Sequence, residues 1–205
     1  AALRRNDDHL ALEARFRNAF SYGTAPIWQT ADSQPDADEI RAALGGAEAT
    51  IRVSGSDSPA RFTGAVIRRT ARRYPEAWRN TARVHLLSSF FSAVLAGDPE
   101  CPIDWGNGAG MSLMDYARRE WAPSLAAAVV AGRSSTKSDA EALTEKLPPL
   151  ASPTDEVGTI ATYFVRRYGF DPSCLVNVGS GDNPQSKVMI DGDLLSLGSS
   201  FVYMV

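Results

Sequence analysis

Hydrophobic and polar positions along this chain follow a helical period for most of its length and a strand-like one near its end. Leu12, Phe16 and Phe20 recur at four-residue spacing behind Asp7 and Asp8, which predicts a helix over residues 8–20. Residues 22–34 read as a loop holding Pro26, Ile27 and Trp28. Asp36 to Leu44 predicts a short helix stopped by Gly45 and Gly46, and Thr50 to Val53 a short strand before a Gly-Ser-Asp turn at 55–59. A helix from Arg61 to Arg73 breaks at Pro75, which opens a second short helix around Trp78. Val84 to Ala96 is apolar enough to predict a buried helix ending at Gly97. Cys101 to Gly110 reads as a glycine-rich loop, Ser112 to Ala131 as mainly helix with a bend at Pro123, and Gly132 to Ser138 as linker. Ser138 and Glu141 stand at capping-box spacing for a helix ending near Pro148.

From Val157 the register changes. A strand over 157–160, a helix over 161–168 stopped at Gly169, a strand over 174–178, a helical turn after Asp182 and a strand over 194–197 follow one another. The expected fold class is α/β: a helix-rich first 150 residues, then a sheet segment with one crossover helix.

Composition narrows the class. The 205 residues are 44% hydrophobic and 22% charged, the balance of a globular protein with one large domain or slightly more. A net charge of −3 argues against a general nucleic-acid binder. No apolar run reaches the roughly 18 residues of a membrane span, and no basic segment with an apolar core opens the chain. No membrane partner is therefore expected, and the expected location is cytoplasmic. Cys101 and Cys174 are too far apart for a zinc knuckle and too few for a disulfide scaffold, so both read as buried thiols. His9 and His85 have no ligand at metal spacing and read as structural, so no metal-ligating residue is assigned. The dense arginines Arg68, Arg69, Arg72, Arg73, Arg79 and Arg83 read as a solvated basic face. Trp78, Trp105 and Trp121 read as core residues. The chain opens without methionine and stops inside the apolar run 201–205, which reads as a piece of a longer protein.

Two stretches carry candidate chemistry. In VNVGSGDNPQS (176–186) an apolar run ends in Gly-Ser-Gly and presents Asp182 and Asn183. This is how an open α/β sheet offers a carboxylate to a ligand at the carboxyl edge of a strand. The plainer alternative is an ordinary loop in which the aspartate caps a helix. In LLSLGSS (194–200) a second apolar run ends in glycine and hydroxyls, where a backbone can approach a phosphate. No lysine follows either cluster, so neither is a Walker-type loop.

Seven stretches, in order, resemble the FGGY family of carbohydrate kinases, most closely its xylulokinase branch. They are APIWQTADS (25–33), ARFTGAVI (60–67), LLSSFFSAVLAG (86–97), PIDWGNGAGMSLMD (102–115), EVGTIATYFVRRYGF (156–170), SGDNPQS (180–186) and SLGSS (196–200). The resemblance implies part of a two-lobed kinase of the actin/hexokinase type, with ribonuclease-H-like sheets and a sugar–ATP cleft between the lobes. Residues 1–190 match the later part of the helix-rich N-terminal sugar-binding lobe and 191–205 the first strands of a truncated C-terminal ATP-binding lobe. The implied activity is ATP-dependent phosphorylation of a sugar hydroxyl, most simply of a ketopentose such as D-xylulose. Other polyols, sugar acids and a non-catalytic sugar-binding module stay open. The expected partners are a small sugar, the missing lobe of the same protein and, as an option, a second copy of the chain. ATP and Mg2+ are the implied cofactors, held mostly by parts absent here, so the isolated chain is expected to be inactive.

By the same resemblance Asp182 matches the general base, Asn183 and Arg61 match sugar contacts, and Trp28 borders the sugar pocket. Gly198 and Ser199 match a phosphate loop, with Ser199 where relatives usually carry threonine. Arg61 can instead serve only to pair or cap its helix, and Ser199 only to close a turn. One departure stands out: many relatives carry aspartate two residues after the tryptophan, where this chain has Thr30, with Asp32 two residues later. GNGAGMS also replaces the relatives' usual DGSGMN.

Overall fold

The computed structural model describes residues 10–27, 29–131, 137–197 and 201–204. The helical part comprises α1 (Leu12–Phe16), α2 (Gln34–Ala43), α3 (Ala47–Ser54), α4 (Thr63–Arg73), α5 (Pro75–Arg79) and α6 (Leu87–Ala96). The middle holds β1 (Ile103–Asp104), α7 (Trp105–Ala109), β2 (Met114–Asp115), β3 (Glu120–Trp121), α8 (Pro123–Val130), α9 (Lys137–Glu145) and β4 (Leu150–Ala151). The end holds β5 (Glu156–Thr159), α10 (Thr162–Tyr168), β6 (Leu175–Asn177), α11 (Asp182–Val188), β7 (Leu194–Leu197) and β8 (Phe201–Met204). Strands pair two by two: β1 with β4 in parallel, and β2–β3, β5–β6 and β7–β8 antiparallel. Among the described residues no helix is long and apolar enough to cross a membrane.

Two cores organise these elements. The larger gathers Ile40 of α2, Ala65 and Ile67 of α4, Ile103 of β1, Val129 of α8 and Leu143 of α9. The smaller gathers Ile160, Tyr163, Phe164 and Val176, with Phe16, Val94 and Leu95 against them.

Four sequence expectations are corrected. Thr50 to Val53 lies in helix α3, not in a strand. The Thr50 hydroxyl donates to the Gly46 carbonyl (2.9 Å) and Ser54 to that of Thr50 (3.0 Å), so the buried polar face is satisfied within the helix. Gly55, at φ 75°, ends α3 in a conformation that costs glycine little. The stretch 112–122 is a hairpin rather than helix. Asp115 accepts from the N–H groups of Ala117 and Arg118 (both 3.0 Å), an aspartate-nucleated turn. The loop 101–110 holds β1 and α7. The helix α10 is no crossover, because β5 and β6 run antiparallel. Two narrower adjustments concern α6, which exposes Leu87 and Phe91 on one face, and Cys174, which is only half-buried.

The arginine cluster is a solvated face only in part: Arg72, Arg73 and Arg79 are exposed, Arg68 and Arg83 are partly buried, and Arg69 is buried. Arg72 pairs with the buried Asp36 (2.7 Å), Arg69 and Arg73 hold Asp32, and Arg68 binds Glu39 and carbonyls at the end of α8. A helix rich in cations is thus clamped to α2 and α8. Arg79 and Glu76 form an exposed pair of the kind that contributes about 0–1 kcal/mol. His85 is structural: its ring nitrogens meet the Ser89 hydroxyl (3.1 Å) and the Pro99 carbonyl (3.0 Å). His9 lies outside the described residues.

Candidate active site

The candidate base is delivered by the end of β6. Val178, buried, donates its N–H to the Asp155 carbonyl (3.0 Å), and its own carbonyl accepts from the Ser92 hydroxyl of α6 (3.0 Å). Gly179 donates to the Pro153 carbonyl (3.0 Å). The Ser180 hydroxyl donates to Asp104 Oδ2 at 2.6 Å. Gly181 presses on Asn107, where an added Cβ would stand 2.8 Å from the amide oxygen. The chain turns there into α11.

Asp182 is the first residue of α11, and Gly181, not the aspartate, is the N-cap. The Asp182 side chain is exposed, and its Oδ1 accepts the N–H of Asn183 at 2.8 Å. No other hydrogen bond engages that carboxylate among the described residues. It therefore keeps lone pairs open to solvent, as a proton acceptor must. Asn183 is exposed beside it. Arg61 is exposed in the turn before α4, and among the described residues its guanidinium makes no ion pair or hydrogen bond. The helix-pairing alternative for Arg61 therefore finds no partner here. Arg61 makes no bond to Asp182 or Asn183 either. Trp28, Gly198 and Ser199 lie outside the described residues.

The Thr30 departure now has a local setting. Asp32 does not stand free in its place. Partial desolvation works against its charge, but hydrogen bonds from Arg73 and Arg69 override this and hold the carboxyl below its ordinary range. Asp32 belongs to the α4 clamp.

Sequence reasoning missed Asp104, Asn107 and Ser88. Asp104 ends β1, is 2% exposed and caps α7 by accepting the Asn107 N–H (3.1 Å). The Asn107 amide donates to Asp104 Oδ1 (2.6 Å) and to the Ser88 hydroxyl (2.8 Å). With no cation in hydrogen-bond reach among the described residues, these donors and Ser180 compensate the buried carboxylate. The available signal was the Asp104-x-x-Asn107 capping spacing inside a stretch read as loop. No group of three or more His, Cys, Asp or Glu that could hold a metal occurs among the described residues.

Solved structures place the fold, apart from any site, in a known class. Xylulose kinase from Bifidobacterium adolescentis matches 86% of this chain and 41% of its own with a TM-score of 0.72 at 21% identity. Gluconate kinase from Lactobacillus acidophilus matches 78% of this chain and 30% of its own, with a TM-score of 0.64 at 17% identity. The fold is that of the actin/hexokinase-like sugar kinases, a part of it. In sequence, xylulose kinase 2 of Arabidopsis thaliana is 38% identical over 203 residues, which is 97% of this chain and 34% of that protein. No protein-family model matches. The similarity is to carbohydrate kinases of the FGGY type, and the chain spans about a third of the length of the curated relatives it matches.

Proposed function

We propose that the protein phosphorylates a sugar hydroxyl with ATP, and that its substrate is a ketopentose such as D-xylulose. The observation that carries this reading is the Asp182 carboxylate, exposed at the start of α11 on a loop fastened to three other parts of the fold. Asp182 takes the hydroxyl proton as that oxygen bonds to the γ-phosphorus and the bond to ADP breaks. The Asn183 amide both donates to and accepts from sugar hydroxyls, and the unpaired Arg61 fork holds further sugar oxygens. By resemblance Trp28 is assigned to the sugar, and Gly198 and Ser199 to the transferred phosphate. Magnesium accompanies the nucleotide, and none of these residue roles passes through it.

Residues 1–190 are the later part of the sugar lobe, and 191–205 begin the ATP lobe. The turn at Gly192 and the β7–β8 hairpin, which leaves Leu195, Leu197 and Tyr203 exposed, support that boundary. On this reading the stretch alone does not turn over ATP. A second reading, a kinase for another polyol or sugar acid, is favoured by one observation: Asp32 is consumed by Arg69 and Arg73 and cannot replace the carboxylate missing at Thr30.

The test is sugar-dependent ADP release by the full-length protein against pentuloses, hexuloses, polyols and sugar acids. Turnover with D-xylulose above the others is the expected result. A preference for gluconate or another acid selects the second reading. A folded, ATP-binding protein that turns over no sugar leaves only a sugar-binding module.

A further inference from the structure

We infer that Asp104 is a positioning residue for the reaction: through Ser180 and Asn107 it holds the loop that presents Asp182. This rests on the phosphoryl-transfer reading of Asp182.

The argument starts from what a buried carboxylate needs. Asp104 has left water at the end of β1, in the parallel β1–β4 pair that lines the larger core. Its charge is compensated by two donors from its own helix turn and one from far along the chain, the Ser180 hydroxyl at 2.6 Å. A distant donor is costly to recruit unless it also orders something. What it orders is the residue two before Asp182. Asn107 contributes on the other side: the amide that binds Asp104 and Ser88 keeps its oxygen against Gly181, where no side chain larger than glycine fits without displacement.

Asp104 therefore fixes two consecutive residues, 180 and 181, and α11 starts from them. The Ser92 bond to the Val178 carbonyl anchors the strand end upstream. Among the described residues the carboxylate of Asp182 itself makes one bond, to the next amide, so its position in space comes from the backbone before it. A displacement of about 1 Å at a reacting group is enough to cost on the order of a hundredfold in rate. Asp104 touches no substrate in this account and acts only through the loop.

The test uses the full-length protein. Ser180→Ala is expected to lower kcat per folded molecule about 10- to 100-fold, with KM for the sugar changed less than about threefold. Asp104→Asn is expected to act in the same direction. Combining it with Ser180→Ala should add less than about threefold to the worse single variant, because both act on the loop through the Ser180–Asp104 contact. Amide exchange in residues 179–183 should quicken in Ser180→Ala while that of α8 stays unchanged. If Asp104→Asn does not fold, Ser180→Ala alone decides. An unchanged kcat in Ser180→Ala, or full additivity in the double variant, overturns the inference while leaving Asp182 as base. A wild-type protein without sugar-dependent turnover removes the base reading, and this inference with it.

Discussion

The face of α4 and the end of β1 both take charge out of water, by opposite means. Against α4 the buried charges meet their opposites: Arg69 of α4, 5% exposed, meets Asp32, and Asp36 of α2, 1% exposed, meets Arg72. At the end of β1, Asp104 meets, among the described residues, neutral donors alone, one of them borrowed from the loop before α11. An ion pair is satisfied by its partner and ties two helices together. A carboxylate solvated by hydroxyl and amide groups depends on where those groups are, so it couples a core strand to a surface loop. The first arrangement makes a body, and the second makes a site.

The sharpest way to break this division is at Asp182. Asp182→Ala in the full-length protein should lower kcat by about 10³- to 10⁴-fold while sugar binding largely survives, measured by steady-state turnover and calorimetry. Turnover close to wild type would remove the site from the comparison altogether. On the body side, Leu125→Ala, at a fully buried position of α8, should cost about 3 kcal/mol of stability by denaturant unfolding. The kcat of the molecules that stay folded should hold. A selective loss of kcat would show that body and site are not separable in the way their charges suggest.

Legibility in the sequence followed the same line. The elements around the candidate base were readable because strand, glycine and helix follow each other locally, so Asp182, Asn183 and Gly181 could be named from spacing. Arg61 could be singled out through its motif, and the structure leaves it without a described partner. The brace was not readable. Ser180 and Asp104 lie 76 residues apart, and no local period reports a hydroxyl meeting a carboxylate across that gap. The arginines of α4 were visible as a cluster, but their partners Asp32, Asp36 and Glu39 lie on an earlier stretch and only tertiary packing joins them. The helix α3 was misread because Thr50 and Val53 favour strands when taken alone, while the serine and threonine hydroxyls close on carbonyls four residues back. The 112–122 hairpin depends on one aspartate side chain capturing two N–H groups, a short-range event hidden in an otherwise helical composition.

The smallest effect concerns pH, and it sharpens the account of the body. Glu39 is held below its ordinary value of 4.5 by hydrogen bonding and charge from Arg68, and Asp32 is held below 3.8 by Arg73 and Arg69 against partial desolvation. For a carboxyl depressed in the folded state, the stabilisation is present above the unfolded pKa and is lost as pH falls through the folded one. Burial also lowers His85 below 6.5, outweighing the Pro99 carbonyl and the Glu100 charge. Its contribution therefore begins to fall earlier, as pH drops below 6.5. Cys101 runs the other way: burial, with the Asp98 charge, raises the thiol from 9.0 to about 11, so its contribution is full below 9.0 and is lost as pH rises from 9.0 through about 11. The thermal midpoint should accordingly be flat between pH 7 and 9, with a shallow acid limb starting below 6.5 and a steeper one below 4.5. Asp32→Asn should lower the plateau and flatten only the steeper limb, because the clamp on α4 then has one less carboxyl to protonate. An acid limb identical to wild type in that variant would mean that Arg69 and Arg73 gain nothing from Asp32, and that the acid response comes from Glu39 and the other carboxyls.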